Sequence, residues 1–218
     1  MRKVTLDIET TGLDPLEGHK IIEIGCVELI NNFPTGKTWQ SYINPNRNIP
    51  QDAYEVHGLT EEFLGNKPFF TDIIKSFTDF IKESKLIIHN AKFDLNFINY
   101  ELEALKLDPI NLEVIDTIDI ARSLFPGQSI SLDALCKRYK IDIDKRKFHG
   151  ALLDAELLAE VYLEMQGGRQ QGINLNPDPS VLKNKIHIED IKYSKKIYSL
   201  KEEEISRYNN LFKMIKNN

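Results

Sequence analysis

An α/β fold built on a mixed sheet is what this chain predicts, and three observations carry it. Strand-like segments at 3–8, 21–30 and 38–43 come early with little chain between them, as antiparallel neighbours do. Strand and helix patterns then alternate, with a strand at 85–89, a helix at 93–105 and a short strand at 114–116, which adds parallel strands to the same sheet. With 218 residues, 41% of them hydrophobic, the chain buries one substantial core plus a smaller appendage and has no room for two large domains.

In the first strand, alternation puts Val4, Leu6 and Ile8 on one face and Asp7 and Glu9 together on the other. A helix is expected over 71–83. In the next, at 93–105, Asp94 opens the run Phe97, Ile98, Leu102, Leu105, so its carboxylate falls on the buried face. Shorter helices are expected at 118–124 and 132–139. The helix at 151–165 repeats the pattern, with Asp154 opening Leu157, Leu158 and Val161. Past Met165 the composition shifts to Gly, Asn and Pro, residues that interrupt regular structure. The expected division is a folded domain at 1–168, a flexible linker at 169–182 and a tail at 183–218. In the tail, Ile205, Tyr208, Leu211, Phe212 and Ile215 fall on one helical stripe. Such a helix packs back on its own domain or enters a partner's groove.

Cys26 and Cys136 are the only cysteines, each in an apolar context, which suits structural burial in a reducing compartment. The start, MRKVTLD, runs straight into the first strand, and no apolar stretch approaches the roughly 20 residues that span a bilayer. A cytoplasmic location without membrane insertion is therefore expected. The formal net charge is −5, with the acidic excess before residue 180 and a basic balance after it. Non-specific affinity for nucleic acid comes chiefly from Lys and Arg contacts to phosphate. A basic cluster, Lys137, Arg138, Lys140, Lys145, Arg146 and Lys147, runs up to His149 and is a candidate guide for a nucleic-acid backbone, with solvated surface charge as the plainer alternative.

Three short segments carry chemistry: LDIETTG at 6–12, HNAKFD at 89–94 and HGALLD at 149–154. Ionised carboxylates taken out of water shift their pKa or find a cation. The four acids Asp7, Glu9, Asp94 and Asp154 therefore call for metal, and oxygen ligands suit hard divalent ions such as Mg²⁺ or Mn²⁺. Two such ions can serve phosphodiester hydrolysis. His149, placed before the helix that holds Asp154, is suited to act as general base at neutral pH. Taken singly, a strand-end acid pair is commonly a solvated edge, a helix-start Asp a dipole partner, and a lone His structural. Their conjunction in this order points to a metal-dependent nuclease.

These residues resemble the DEDDh exonucleases, a family named for four metal-binding acids and a histidine, here matching Asp7, Glu9, Asp94, Asp154 and His149. The stretches EGHKIIEIG, VHGL, SLDALCKRY and FHGALLDAELLAEVY extend the likeness over nearly all of 3–168. They narrow it to the DnaQ-type epsilon, or proofreading, subunits of bacterial DNA polymerase III. The resemblance implies a ribonuclease H-like fold and a 3′–5′ exonuclease that removes mispaired 3′-terminal nucleotides of a DNA primer as monophosphates. It further implies substrate contacts by Thr10 and the Gly12 turn, by Asn90 and Phe93 along the strand's path, and by His57 at the pocket's border. Where the family tends to have a Glu five residues before that His, this chain has Asp52.

The implied partners are the polymerase catalytic (alpha) subunit through the 183–218 tail, a sliding clamp through a QxxxL-type peptide at Gln171 to Leu175, and a theta-like small subunit. Gln170, Ile173 and Leu175 offer an alternative register for the clamp peptide. A stand-alone exoribonuclease similar to oligoribonuclease or RNase T uses the same five residues but gives the tail no purpose. A catalytically silent interaction module is the other rival, and the intact set of five argues against it. Asp116 and Asp119 remain unassigned between supporting the site and starting a helix.

Overall fold

The protein is described here from a computed structural model covering residues 1–143 and 148–168. The linker, the candidate clamp peptide at 171–175, the tail, and Lys145, Arg146 and Lys147 of the basic cluster lie outside the described residues. A five-stranded mixed sheet forms the frame, in the order β3-β2-β1-β4-β5. Its central strand β1 (Arg2–Thr10) pairs antiparallel with β2 (Ile21–Ile30), which pairs antiparallel with the edge strand β3 (Phe33–Tyr42). On its other side β1 pairs parallel with β4 (Lys85–Ile88), and β4 pairs parallel with β5 (Val114–Asp116). Early antiparallel strands and later parallel additions are thus both present.

The edge strand begins five residues earlier than the sequence suggests. Asn31 and Asn32 both take left-handed φ values, 54° and 72°, the conformation a two-residue hairpin needs and asparagine tolerates. Pairing resumes at once with Ile30 opposite Phe33 and Leu29 opposite Pro34. Pro34 reads as a breaker, but an edge strand has an outer side on which a missing N–H costs nothing.

Seven α-helices and one 3-10 turn, Pro15–Glu17, occur among the described residues. Two short ones, α1 (Gln51–His57) and α2 (Glu61–Gly65), lack the apolar stripe that made the others legible. The rest are α3 (Phe70–Ile81), α4 (Ala91–Ala104), α5 (Thr117–Leu124), α6 (Leu132–Tyr139) and α7 (Ala151–Met165). Their ends follow ordinary capping chemistry: Ser131 and Thr60 accept from the amides of Ala134 and Phe63, and Asp72 accepts from Phe69.

Helices cover both faces of the sheet. Val4, Leu6, Ile8, Leu86 and Ile88 pack with Phe77 of α3 and Phe97 and Ile98 of α4 in one cluster. Ile87 packs on the opposite side with Leu135 and Cys136 of α6 and Leu157, Leu158 and Val161 of α7. Full burial of a large apolar side chain contributes about 1.5–3 kcal/mol. Both cysteines are buried and free.

The helix α7 comes unusually close to the sheet. Ala151, Ala155 and Ala159 recur one turn apart and are essentially fully buried. Thr5 on β1 donates its hydroxyl to the Ala155 carbonyl at 2.8 Å. Beneath the helix start lies Gly25 of β2, where a Cβ would stand 2.2 Å from the Leu152 nitrogen and 2.3 Å from the Ala151 carbonyl carbon. Only glycine leaves room for this approach.

Candidate active site

The parallel strands β1, β4 and β5 end on one edge of the sheet, and the acids collect there, as expected for the carboxyl ends of strands in an α/β sheet. Asp7 and Glu9 occupy the last turns of the β1 pleat. They share the face of Thr5, which α7 covers. Asp94 sits in the first turn of α4 and Asp154 in the first turn of α7, each 3% exposed.

Asp7, Glu9, Phe93, Asp94, His149 and Asp154 line a single cavity of about 260 Å³, together with Ile8, His89, Ser131 and Leu132. Ligand atoms of Glu9, His149 and Asp154 all lie within 4.8 Å of one another, and Nδ1 of His149 is 3.3 Å from Oδ2 of Asp154. Asp7 and Asp94 line the same cavity outside that tight trio. Burial pushes the Asp94 carboxyl well above the usual carboxylate range; hydrogen bonds from its own amide and that of Ile8 pull it back, and the Asp116 charge adds to the rise. A buried acid raised in this way is one that a cation would stabilise. The donor set, carboxylates with one imidazole at the margin, fits a hard divalent ion.

The elements that meet at the cavity are held at their starts. Asp116, at the end of β5, accepts from the amides of Asn90 at 3.2 Å, Ala91 at 2.9 Å and Ile118 at 2.9 Å. One carboxylate thus brackets the N-termini of α4 and α5. Asp119 is exposed and pairs with Arg122 at 3.2 Å, a surface contact. On the other side, the His149 amide donates to the Val56 carbonyl of α1 at 3.0 Å. Gly58, left-handed at φ 69° where α1 ends, packs against Phe148 so closely that a Cβ would meet its ring at 2.9 Å. The helix α1 therefore buttresses the loop that carries His149.

The remaining expected contacts take other places. Thr10 is buried and donates to the Gly12 carbonyl at 2.6 Å. Gly12 lies under the His19 ring, which a Cβ would strike at 2.2 Å. Asn90, with φ 71°, lines a groove that adjoins the cavity at Phe93. Asp52 is exposed and accepts from the Ala53 amide. His57 is 4% exposed; its Nδ1 accepts from Leu59 at 3.0 Å, so Nε2 carries the proton, and it has no hydrogen-bond partner among the described residues. None of these five lines the cavity itself. His89, Ser131 and Leu132 do, although sequence reasoning assigned them no role. His89 heads the HNAKFD segment, which was the available signal. Its Nδ1 lies 2.9 Å from the Thr117 hydroxyl, and burial depresses its pKa, with Asp116 and a backbone bond to Ile130 opposing.

A family model described as Exonuclease (RNase T) matches residues 4–162, and the chain belongs to that family of exonucleases. It is 51% identical over 188 residues to DNA polymerase III subunit epsilon of Rickettsia conorii (strain ATCC VR-613 / Malish 7), covering 84% of this chain and 82% of that one. To the same-named protein of Escherichia coli (strain K12) it is 48% identical over 176 residues, 77% of this chain and 72% of that one. Within the exonuclease family the chain is thus a member of the epsilon-subunit group.

Among solved structures, Exonuclease X in complex with 5′ overhanging duplex DNA is similar with a TM-score of 0.62 and 27% identity, covering 76% of this chain and 91% of that one. The nuclease domain of 3′hExo, a DEDDh family member bound to rAMP, shares the fold at a TM-score of 0.67 and 19% identity, covering 76% and 92%. No helix among the described residues is long and apolar enough to cross a membrane.

Proposed function

We propose that this exonuclease proofreads DNA: it hydrolyses the terminal phosphodiester of a mispaired primer 3′ end and releases a nucleoside monophosphate. The observation that carries this reading is the convergence of Asp7, Glu9, Asp94, His149 and Asp154, drawn from residues nearly 150 positions apart, on one cavity. Asp7, Glu9, Asp94 and Asp154 would hold two divalent ions, Mg²⁺ or Mn²⁺. When bound, these supply Lewis-acid stabilisation of the charge that develops on the phosphate and on the departing 3′ oxygen.

The chain's own groups do the rest. His149 takes the proton of the attacking water through Nε2, because Nδ1 faces the Asp154 carboxylate at 3.3 Å, which orients the ring and steadies the imidazolium. Phe93, half-buried at the junction of cavity and groove, offers a ring face to a base. Thr10, Gly12, Asp52, His57 and Asn90, which lie outside the cavity lining, would add contacts to the nucleotide beyond it. A frayed end reaches the site at less unstacking cost than a paired one, so mispairs are preferred.

Support for the partners comes from the relatives' name, which places them in DNA polymerase III. The 183–218 tail would bind the catalytic subunit and residues 171–175 the clamp, with a theta-like subunit as a third contact. Tethering raises the local concentration of a weakly binding nuclease at the primer end.

The deciding experiment is digestion of 5′-labelled DNA with matched or mismatched 3′ ends, in Mg²⁺, in Mn²⁺ and in EDTA, with an RNA oligomer alongside. Stepwise, cation-dependent shortening that is faster at the mismatch is expected. Preference for RNA would move the reading to a stand-alone exoribonuclease.

A further inference from the structure

Two buried carboxylates lie in β2, IIEIGCVELI: Glu28 is paired with Arg2 at 2.7 Å, and Glu23 faces no cation partner of that kind among the described residues. In the β1–β2 register it stands opposite Glu9, with Gly25 opposite Asp7. Its side chain is 2% exposed, and an isolated carboxylate in such a place is costly. Its partners explain the burial. Gln40 of β3 donates Nε2 to Oε1 at 2.8 Å and is itself steadied by the Tyr42 hydroxyl at 3.3 Å. Oε2 of Glu23 is the atom that a Cβ on Gly150 would meet, at 3.9 Å, and the backbone amides of the next two residues, Ala151 and Leu152, donate to the same carboxylate.

These amides are the first two of α7, whose N-cap residue, Gly150, has no side chain to satisfy them. They lie between His149 and Asp154 in the chain. Gly25, two residues on, is what lets the helix start settle on the strand. One buried side chain therefore ties the strand opposite Glu9 to the segment that carries the other two members of the tight trio.

We propose that Glu23 is a positioning residue of the active site, whose buried carboxylate fixes the first turn of α7 and so sets where His149 and Asp154 stand against Glu9. This rests on the site reading given above. Glu23 touches neither substrate nor the reacting atoms, so its loss acts on geometry, and misplacement of a catalytic group by about 1 Å can cost about 10²-fold in rate.

The test uses the full chain as wild type, E23A, E23Q and H149A. Steady-state kinetics on single-stranded DNA are read beside amide hydrogen exchange by NMR in EDTA. For E23A, kcat should fall about 10²-fold with KM within about twofold, the Ala151 and Leu152 amides should exchange faster, and amides of Val4 and Leu86 in the sheet should keep their protection. E23Q, which keeps one acceptor oxygen, should fall between E23A and wild type in both readouts. Wild-type kcat in E23A overturns the proposal, as does a uniform loss of protection through the sheet, which would make Glu23 a general fold residue. Should E23A fail to fold, E23Q decides, and wild-type kcat with wild-type exchange there overturns it. Wild-type turnover in H149A would instead sink the site reading, while the exchange data would still report whether Glu23 holds α7.

Discussion

At the scale of single residues, the sharpest division is between groups that react and groups that bind. His149 is half-exposed and meets Asp154 through one ring nitrogen, so H149A should keep cation affinity while turnover drops by about 10²–10⁴-fold, the range typical of a lost general base. D7N should also weaken cation binding. Mn²⁺ titration by calorimetry beside kcat separates the two, and wild-type turnover in either variant would refute the assignments. His57 and His89 add a pH dependence of folding. Burial depresses both pKa values below the ordinary 6.5, so the folded chain holds these rings neutral where the unfolded chain has begun to protonate them. Stability should therefore be intact above pH about 6.5 and decline as the pH falls below it toward the depressed values. Melting temperatures measured from pH 7.5 down to 5 should show this decline, and H57N, which keeps an acceptor for the Leu59 amide, should flatten it.

At the scale of elements, strands and helices with a period were legible and those without one were not. Alternation in β1 and the apolar stripes of α3, α4 and α7 are strong signals because each element presents one face to a core. The helices α1 and α2 are short and mostly exposed, so local turns and capping decide them. The convergence of Asp7, Glu9, Asp94, His149 and Asp154 on one cavity was legible because Asp94 and Asp154 put carboxylates on buried helix faces, against ordinary folding, and the strand-end pair and the histidine recur with them. Glu23 was not legible as an anchor, and Asp116 was legible only as an open choice between supporting the site and starting a helix, of which the α5 N-cap is the second: the partners are backbone amides, and an amide carries no sequence signature. Two variants probe that layer. G25A must push α7 off the sheet or strain β2, at about 1–3 kcal/mol, seen as a lower urea midpoint together with lost turnover. D116A strips an acceptor from the starts of α4 and α5, with loss of about 0.5–2 kcal/mol in the same measurement; an unchanged midpoint would contradict the bracketing role.

At the scale of the whole molecule, both hydrophobic clusters and all five proposed reactive residues lie at or before Met165. A fragment of residues 1–168 should therefore melt cooperatively and degrade single-stranded DNA with kcat near that of the full chain, losing only what the tail contributes to partner binding. Size-exclusion pull-down with the polymerase subunit checks the second half of that expectation. The hydroxyl of Thr5 reaches the carbonyl of Ala155 across 150 positions of sequence, and the Lys3 ammonium reaches the Tyr162 hydroxyl at 2.7 Å across 159. A ribosome making this chain thus delivers β1, β4 and α4, with three of the four acids, long before α7 exists to close the cavity. The growing polypeptide therefore lacks His149 and Asp154 until α7 is made, and the cavity is completed by the same docking event that completes the hydrophobic cluster between α6 and α7.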